Sequence, residues 1–215
     1  MIPLHALIRR NNAATMTIAI ISLNVLVYLW EFIQSPYRQQ VFVMHYAMVP
    51  DHLRLTTLLT SMFLHAGWVH LIGNMWFLWV FGSHIEDVMG SARFLVFYLL
   101  CGVASGAVQL VTTWNSPVPT LGASGAIAGV MGAFLVLYPR VRVNTLIFIL
   151  FFITTVEIPA AFMLIYWFGI QLVSGLFSSG RFNDSGGTAW FAHIGGFLAG
   201  LLLIRLFPNT RRYFY

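Results

Sequence analysis

The stretch Gly122-Ala123-Ser124-Gly125 begins an apolar run that continues to Tyr138. A second apolar run contains Ala192-His193-Ile194-Gly195-Gly196. Small residues recur four apart in both runs, as Gly125-x-x-x-Gly129 and Gly196-x-x-x-Gly200, and this spacing lets membrane helices approach closely. A serine and a histidine inside such segments favour a second interpretation beside packing, in which a nucleophile and its base are held within a bilayer.

Composition places the chain among polytopic membrane proteins. Hydrophobic residues make up 59% of the 215 residues and charged residues 8%, and the mean hydropathy is +0.83, which excludes a soluble domain. The net charge of +5 comes from arginine alone, and the arginines lie mostly at the ends of apolar runs. This distribution indicates a membrane protein and no nucleic-acid partner. The single cysteine, Cys101, excludes an intrachain disulfide.

Six apolar runs are long enough, at ~1.5 Å per residue, to cross most of a ~30 Å hydrocarbon core. They predict an all-α polytopic membrane protein, a six-transmembrane-helix bundle. The domain organisation follows as a short cytoplasmic N-terminus at 1–15, a six-span domain at 16–206 and a short cytoplasmic tail at 207–215. The predicted spans are 16–33, 69–85, 93–113, 121–138, 159–179 and 188–206.

The arginines also predict the orientation in the membrane, since cytoplasmic loops carry an excess of positive charge. A cytoplasmic N-terminus places most arginines inside, and we expect a multi-pass protein of the cell's inner membrane. The inner arginines are Arg9, Arg10, Arg93, Arg140, Arg142, Arg211 and Arg212, and the outer ones are Arg38, Arg54 and Arg181.

Two segments do not fit a simple span. Residues 144–156 are apolar but only about 13 residues long, and Pro159 follows them, so we interpret this segment as interfacial or re-entrant. The loop at 34–67 mixes polar and apolar residues, and we expect it to lie partly in the outer leaflet.

The topology brings the polar residues of alternate spans to a common depth, because the second, fourth and sixth spans all begin on the outer side. His70 and Asn74 lie four residues apart, on one face of the second span. Ser124 begins the fourth span, where free backbone N–H groups and the helix dipole favour an anion. His193 lies in the first turns of the sixth.

These residue types predict acyl-transfer chemistry. His193, as a neutral imidazole, can take the proton of the Ser124 hydroxyl. The oxyanion that forms can be stabilised by the Ser124 backbone N–H, the Asn74 amide and the His70 ring. No carboxylate falls at this depth, which favours a Ser/His dyad over a triad. The sequence lacks the two intramembrane aspartates of an aspartyl protease and the H-E-x-x-H motif of a zinc protease. We expect no metal and no other cofactor.

Four sequence elements in order resemble the rhomboid family of intramembrane serine proteases, and together they cover nearly the whole chain. They are Thr60-Ser-Met-Phe-Leu-His65-Ala-Gly-Trp-Val-His70-Leu-Ile-Gly-Asn74, then Gly82, Glu86 and Gly90, then Gly122-Ala-Ser124-Gly125, and Ala192-His193-Ile-Gly-Gly196-Phe-Leu-Ala-Gly200. The resemblance implies a rhomboid-like bundle with a water-filled cavity open to the extracytoplasmic side. It also implies Ser124 as nucleophile, His193 as general base, and His70 and Asn74 as oxyanion-hole side chains.

By the same resemblance, the substrates would be single-span membrane proteins that pass between the second and fifth spans, near Trp76, Phe77, Trp167 and Phe168. We expect structural support from Gly122, Gly125, Gly196 and Gly200, and a loop-fixing hydrogen bond from Glu86. Two positions depart from the family pattern. Thr56 and Thr57 stand where members often carry Trp-Arg, and Ala128 stands where some members have a tyrosine beneath the catalytic histidine.

Two other functions stay open at this point. A transporter also carries polar residues in its spans, but paired interrupted helices and an intramembrane carboxylate relay are missing from this sequence. A noncatalytic rhomboid-like factor that binds membrane proteins for quality control would share the fold but lack the nucleophile or the base. The sequence leaves the physiological substrate and the oligomeric state undecided.

Overall fold

Helices dominate the computed structural model, which describes residues 1–149, 152–178 and 189–207. Residues 208–215 of the predicted tail, residue 179 at the end of the predicted fifth span and residue 188 at the start of the predicted sixth span lie outside the described residues. The α-helices are α1 (Thr15–Phe32), α2 (Pro36–Tyr46), α3 (Thr57–Thr60), α4 (Trp68–Phe77), α5 (Ser83–Met89), α6 (Ser91–Thr112), α7 (Ser124–Leu137), α8 (Ala160–Ser178) and α9 (Trp190–Leu203).

The predicted second span is one helical run from residue 68 to residue 89. A π-helical turn, Leu78–Gly82, joins α4 to α5 without a break. Within that turn a Cβ on Gly82 would lie 2.8 Å from the Leu78 side chain and 3.2 Å from Phe94, so this part of the run packs tightly.

Three of the described helices are long and apolar enough to cross a membrane by length and composition. They are Thr15–Phe32, Ser91–Thr112 and Ala160–Phe177, and two shorter apolar stretches, Ser124–Leu137 and Trp190–Leu206, accompany them. The first, third and fifth predicted spans therefore correspond to α1, α6 and α8 within two residues at each end.

A three-stranded sheet corrects the prediction of an all-α protein. Its strands are β1 (Ile2–Ala6), β2 (Arg142–Ile149) and β3 (Phe152–Pro159), in the order β1-β2-β3. The 144–156 segment, interpreted from sequence as interfacial or re-entrant, is a β-hairpin in which Arg142 pairs with Pro159 and Ile149 with Phe152. Its β-branched and aromatic residues favour strands, and the N-terminal segment supplies the third strand through the Ile2 to Leu146 and Ala6 to Val143 pairs.

The core lies around α7, which is buried along most of its length between α6 and α9. Glycines permit this approach. A Cβ on Gly196 would overlap the Gly125 carbonyl oxygen, and a Cβ on Gly200 would overlap that of Gly129. The α7 and α9 backbones are therefore in direct contact, which positions the first turns of the two helices beside each other.

A polar cluster joins the first residues of α1 to the end of the 68–89 run, and we call this the inner end of the bundle. The Glu86 carboxylate accepts hydrogen bonds from the backbone N–H groups of Met16 and Thr17, both at 2.8 Å, and from the Ser91 hydroxyl at 2.6 Å. Asp87 accepts from the backbone N–H groups of Asn11 at 3.1 Å and Asn12 at 2.8 Å. Glu86 thus caps α1 and fixes it to α5 and α6.

Candidate active site

Ser124 is the first residue of α7 and follows a sharp turn. Gly122 has a φ of +123°, which a residue with a side chain rarely adopts, and its N–H donates to the Ser61 carbonyl at 2.9 Å. This turn places Ser124 at a helix N-terminus, where its backbone N–H lacks an intrahelical partner. The local sequence therefore supplies both a hydroxyl and a free N–H at one point.

The Ser124 hydroxyl meets the His193 ring. Ser124 Oγ lies 2.8 Å from His193 Nε2, although the two residues are on different helices. The direct backbone contact of α7 with α9 brings them together, because the glycines allow the helices to close. The distance is that of a hydrogen bond.

Gln171 on α8 orients the His193 ring. Its Oε1 lies 2.7 Å from His193 Nδ1, and its Nε2 donates to the Trp167 carbonyl at 3.4 Å. That second bond assigns the amide so that the oxygen faces the histidine. Nδ1 then carries the proton and Nε2 presents a lone pair to Ser124, which is the tautomer that a general base requires.

Two tryptophans flank the His193 ring. They supply the aromatic contacts that Ala128, which stands at the position of a family tyrosine, does not provide. The Trp167 ring lies 5.8 Å from it at an interplanar angle of 36°, and the Trp190 ring lies edge-on at 6.3 Å and 89°. Trp167 comes from α8, one turn before Gln171, so a single helix face supplies the stacking ring and the hydrogen-bond acceptor.

The side chains of His70 and Asn74 lie against Gly122, in the turn before Ser124. A Cβ on Gly122 would be 2.7 Å from His70 Cε1 and 3.7 Å from Asn74 Nδ2, so only glycine leaves this approach open. The Asn74 Nδ2 is buried and makes no hydrogen bond among the described residues. His70 Nδ1 accepts from the Ala66 N–H at 3.5 Å, which leaves the Nε2 proton on the Gly122 side.

His65 contacts this region from the preceding loop. Its ring lies 5.2 Å from that of His70 and is almost completely buried. Burial, reinforced by the charge that His70 would carry, lowers the pKa of His65 to about 3. His65 therefore remains neutral at ordinary pH and adds no positive charge beside His70.

Two polar side chains of α6 hold the start of α9, and the sequence analysis did not single them out. The Ser105 hydroxyl donates to the Ala192 carbonyl at 2.7 Å, and Gln109 Oε1 accepts from the Ala192 N–H at 3.1 Å. A Cβ on Gly125 would overlap the Ser105 hydroxyl. Ser105 and Gln109 thus fix the residue next to His193, and their only sequence signal is a polar side chain within an apolar run.

Of the aromatic residues predicted to line a seam between the second and fifth spans, Trp76 contacts β1, and Trp167 and Phe168 contact α9. The Trp76 indole N–H donates to the Pro3 carbonyl of β1. Phe168 stacks on Phe197 of α9, with ring centroids 4.6 Å apart, and Trp167 packs on His193.

Thr57, one of the two positions that depart from the Trp-Arg pair of the family pattern, is the first residue of α3. Its Oγ1 donates to the Arg54 carbonyl at 2.6 Å, and Arg54 Nη1 lies 2.9 Å from His45 Nδ1.

A profile of the Rhomboid domain matches residues 52–209 of this chain. The match covers well over half of the 215 residues and includes Ser124, His193, Gln171, His70 and Asn74. This chain belongs to the rhomboid family. The rhomboid match begins after β1 and α1, so the N-terminal strand of the sheet lies outside it.

Named rhomboid relatives come from bacteria, animals and plants. The chain is 45% identical over 78 residues to Rhomboid protease GluP of Bacillus subtilis, covering 36% of this chain and 15% of that protein. It is 30% identical over 186 residues to human Presenilin-associated rhomboid-like protein, mitochondrial, covering 85% of this chain and 45% of that protein. It is 32% identical over 146 residues to RHOMBOID-like protein 6, mitochondrial, of Arabidopsis thaliana, covering 68% of this chain and 41% of that protein. The chain thus spans less than half the length of these relatives.

Proposed function

We propose that this protein is an intramembrane serine endopeptidase that cleaves single-span membrane proteins with a Ser124/His193 dyad. The observation that carries the proposal is the 2.8 Å contact between Ser124 Oγ and His193 Nε2, with Nδ1 held by Gln171. Rhomboid membership adds the general activity of the family to this geometry.

In the first step, Ser124 Oγ attacks the carbonyl carbon of the scissile peptide bond while its proton passes to His193 Nε2. The resulting imidazolium keeps its Nδ1–H bond to the Gln171 oxygen. His193 then gives the Nε2 proton to the leaving amine, and the C–N bond breaks to leave an acyl ester on Ser124. Water, deprotonated by the same nitrogen, hydrolyses the ester and restores the hydroxyl.

The tetrahedral oxygen would lie between the start of α7 and the 68–89 helical run. The backbone N–H of Ser124, the Asn74 amide and the His70 ring are the donors proposed for it. Asn74 Nδ2 is buried and has no hydrogen-bond partner within residues 1–149, 152–178 and 189–207. This supports the role, because an unsatisfied buried donor is costly unless a ligand uses it.

We propose six membrane spans: α1, the 68–89 run, α6, α7, α8 and α9. The N-terminus would be cytoplasmic and the dyad open to the extracytoplasmic side of the cell's inner membrane, as the arginine distribution predicts. Neither a transporter nor a noncatalytic binding factor accounts for a histidine whose tautomer is set by Gln171 and whose lone pair meets a serine hydroxyl.

The test is incubation of the purified protein in liposomes with a panel of membrane-anchored peptides, followed by sizing of the products by mass spectrometry. We expect cleavage of at least one helical peptide by the parental protein and none by Ser124→Ala. Equal cleavage by both proteins would refute the assignment of the nucleophile.

A further inference from the structure

The β2–β3 hairpin changes polarity along its length. At its base Arg142 Nη1 lies 3.6 Å from Glu157 Oε2, and both side chains are more than half exposed. Beyond Thr145 and Thr154 the connecting sequence, residues 146–153, is an uninterrupted run of eight apolar residues. The base is therefore suited to water and headgroups, and the far end to hydrocarbon.

Contacts of the N-terminal segment place this sheet alongside the 68–89 helical run. Asn11 and Asn12 bind Asp87 at the inner end, the Arg10 guanidinium lies 4.7 Å from the Trp79 ring, and Pro3 accepts from Trp76. Trp76 precedes Glu86 by ten residues, about 15 Å along a helix. Pro3 therefore lies roughly 15 Å farther from the inner end of the bundle than Glu86 does. Because β2 pairs with β1 and β3 pairs with β2, the whole sheet lies beside this part of the helical run.

One face of the hairpin packs on the bundle and the rest is uncovered. Val143 and Thr145 are buried, and Thr145 Oγ1 contacts Met163 Sδ of α8 at 3.7 Å. By contrast Ile153 is 66% exposed and Val156 41% exposed. In a membrane-spanning protein, large apolar side chains exposed at this depth face lipid acyl chains.

The base of the same sheet carries an excess of positive charge. Arg9, Arg140 and Arg142 are exposed, and the Leu7 N–H donates to the Arg142 carbonyl at 2.8 Å, which brings the N-terminal arginines close to the hairpin. Glu157 is the one carboxylate paired with them in the described contacts. Cations at the inner membrane surface attract acidic lipid headgroups.

We propose that the three-stranded sheet is a binding surface for an anionic phospholipid of the inner leaflet. Arg140 and Arg142, with Arg9 beside them, hold the phosphate, and the exposed apolar side chains of β3 contact the acyl chains. The hairpin therefore enters the membrane with its apolar end first, and the Arg142 and Glu157 side chains at its base lie nearest the headgroups.

The charge arm of the test measures lipid retention by native mass spectrometry after reconstitution with phosphatidylglycerol or phosphatidylcholine. The Arg140→Gln/Arg142→Gln variant should bind phosphatidylglycerol about 25-fold more weakly, or about fivefold per arginine, with no change for phosphatidylcholine. The matched control is Arg38→Gln/Arg54→Gln, which removes two exposed arginines of the opposite loop. Equal loss in both variants, or equal retention of both lipids by the parental protein, would overturn the proposal.

The depth arm uses single nitroxide labels in liposomes on a Cys101→Ala background. Labels at Ile147→Cys and Ile153→Cys should collide with oxygen more than with a water-soluble nickel reagent, and a label at Glu157→Cys should show the reverse. Nickel access at residue 153 equal to that at residue 157 would contradict insertion. Efficient disulfide formation between copies through residue 153 would assign this surface to a second copy of the chain instead. None of these readouts depends on proteolysis.

Discussion

Two buried polar clusters lie along the 68–89 helical run, and they differ in how fully their hydrogen-bonding groups are used. At the inner end, both oxygens of Glu86 accept hydrogen bonds from α1. Near the other end, the Asn74 Nδ2 is buried without a partner in the part of the chain that the structure describes, and Ser124 Oγ lies 2.8 Å from His193 Nε2. A satisfied cluster fixes structure, whereas one with a spare donor has room for a ligand.

Residues of the same sequence pattern can therefore have different roles. Glu86 and Asn74 both belong to the segments that resemble the rhomboid pattern, yet their surroundings predict different consequences of mutation. Loss of Glu86 should act on the free energy of unfolding, and loss of Asn74 should act on turnover.

The largest expected effect comes from the dyad. Ser124→Ala and His193→Ala should each reduce cleavage of a membrane peptide by ~10⁴-fold or more, because either loss removes the activated nucleophile. The thermal midpoint should stay near the parental value. The double variant should be little worse than either single one, and additive losses would show that the two residues do not act as a unit.

Asn74→Ala should lower kcat by roughly 10- to 1,000-fold with little change in KM, as for one lost oxyanion donor. His70→Ala should behave similarly. Steady-state kinetics in detergent or liposomes provide the measurement. A rise in KM at constant kcat would move both residues from transition-state stabilisation to substrate binding.

Gln171 offers a smaller and more specific change. Gln171→Leu should lower kcat by roughly 10- to 100-fold, because the His193 ring loses the acceptor that sets its tautomer. Gln171→Glu should keep the acceptor, and its negative charge should stabilise the imidazolium, so the acid limb of the activity profile should move to higher pH. Unaltered pH profiles in both variants would mean that Gln171 does not orient the base.

Glu86→Gln should have the smallest effect on the activity of the folded protein and the clearest effect on stability. The neutral amide weakens charge-assisted hydrogen bonds that are each worth about 1.5–3 kcal/mol, so the thermal midpoint should fall. Asp51→Asn, at a partly exposed carboxylate in the 3₁₀ turn Pro50–His52 before α3, is the control. A loss of kcat in Glu86→Gln without a loss of stability would remove the distinction between the two clusters.

Much of this arrangement could be predicted from the sequence because it depends on local patterns. Apolar runs locate the long helices within two residues, and glycine spacing indicates that α7 and α9 approach closely. Ser124 and His193 stood out as polar residues in apolar runs, and the same signal applies to Gln171, Ser105 and Gln109. A polar side chain in an apolar run is equally compatible with hydrogen bonding between packed helices, so the sequence alone does not connect these three residues to His193.

The addition of β1 to the hairpin could not be predicted in this way, since it depends on contacts far apart in the chain. Ile2 pairs with Leu146 and Ala6 with Val143, and neither segment shows the alternation of a half-buried strand. The apolar end of the hairpin has the composition of a short membrane segment, and its strand structure is seen in the pairing of β2 with β3.

The most direct test of the dyad is labelling with a fluorophosphonate in the presence of EDTA, with the adduct located by peptide mass spectrometry. A covalent adduct at Ser124, absent in His193→Ala and paralleled by loss of proteolysis, is the expected result. The labelling rate should fall on acidification as the imidazole, with a reference pKa of ~6.5, becomes protonated. Proteolysis that is lost on chelation and restored by zinc, with Ser124 unlabelled, would contradict the serine-protease mechanism.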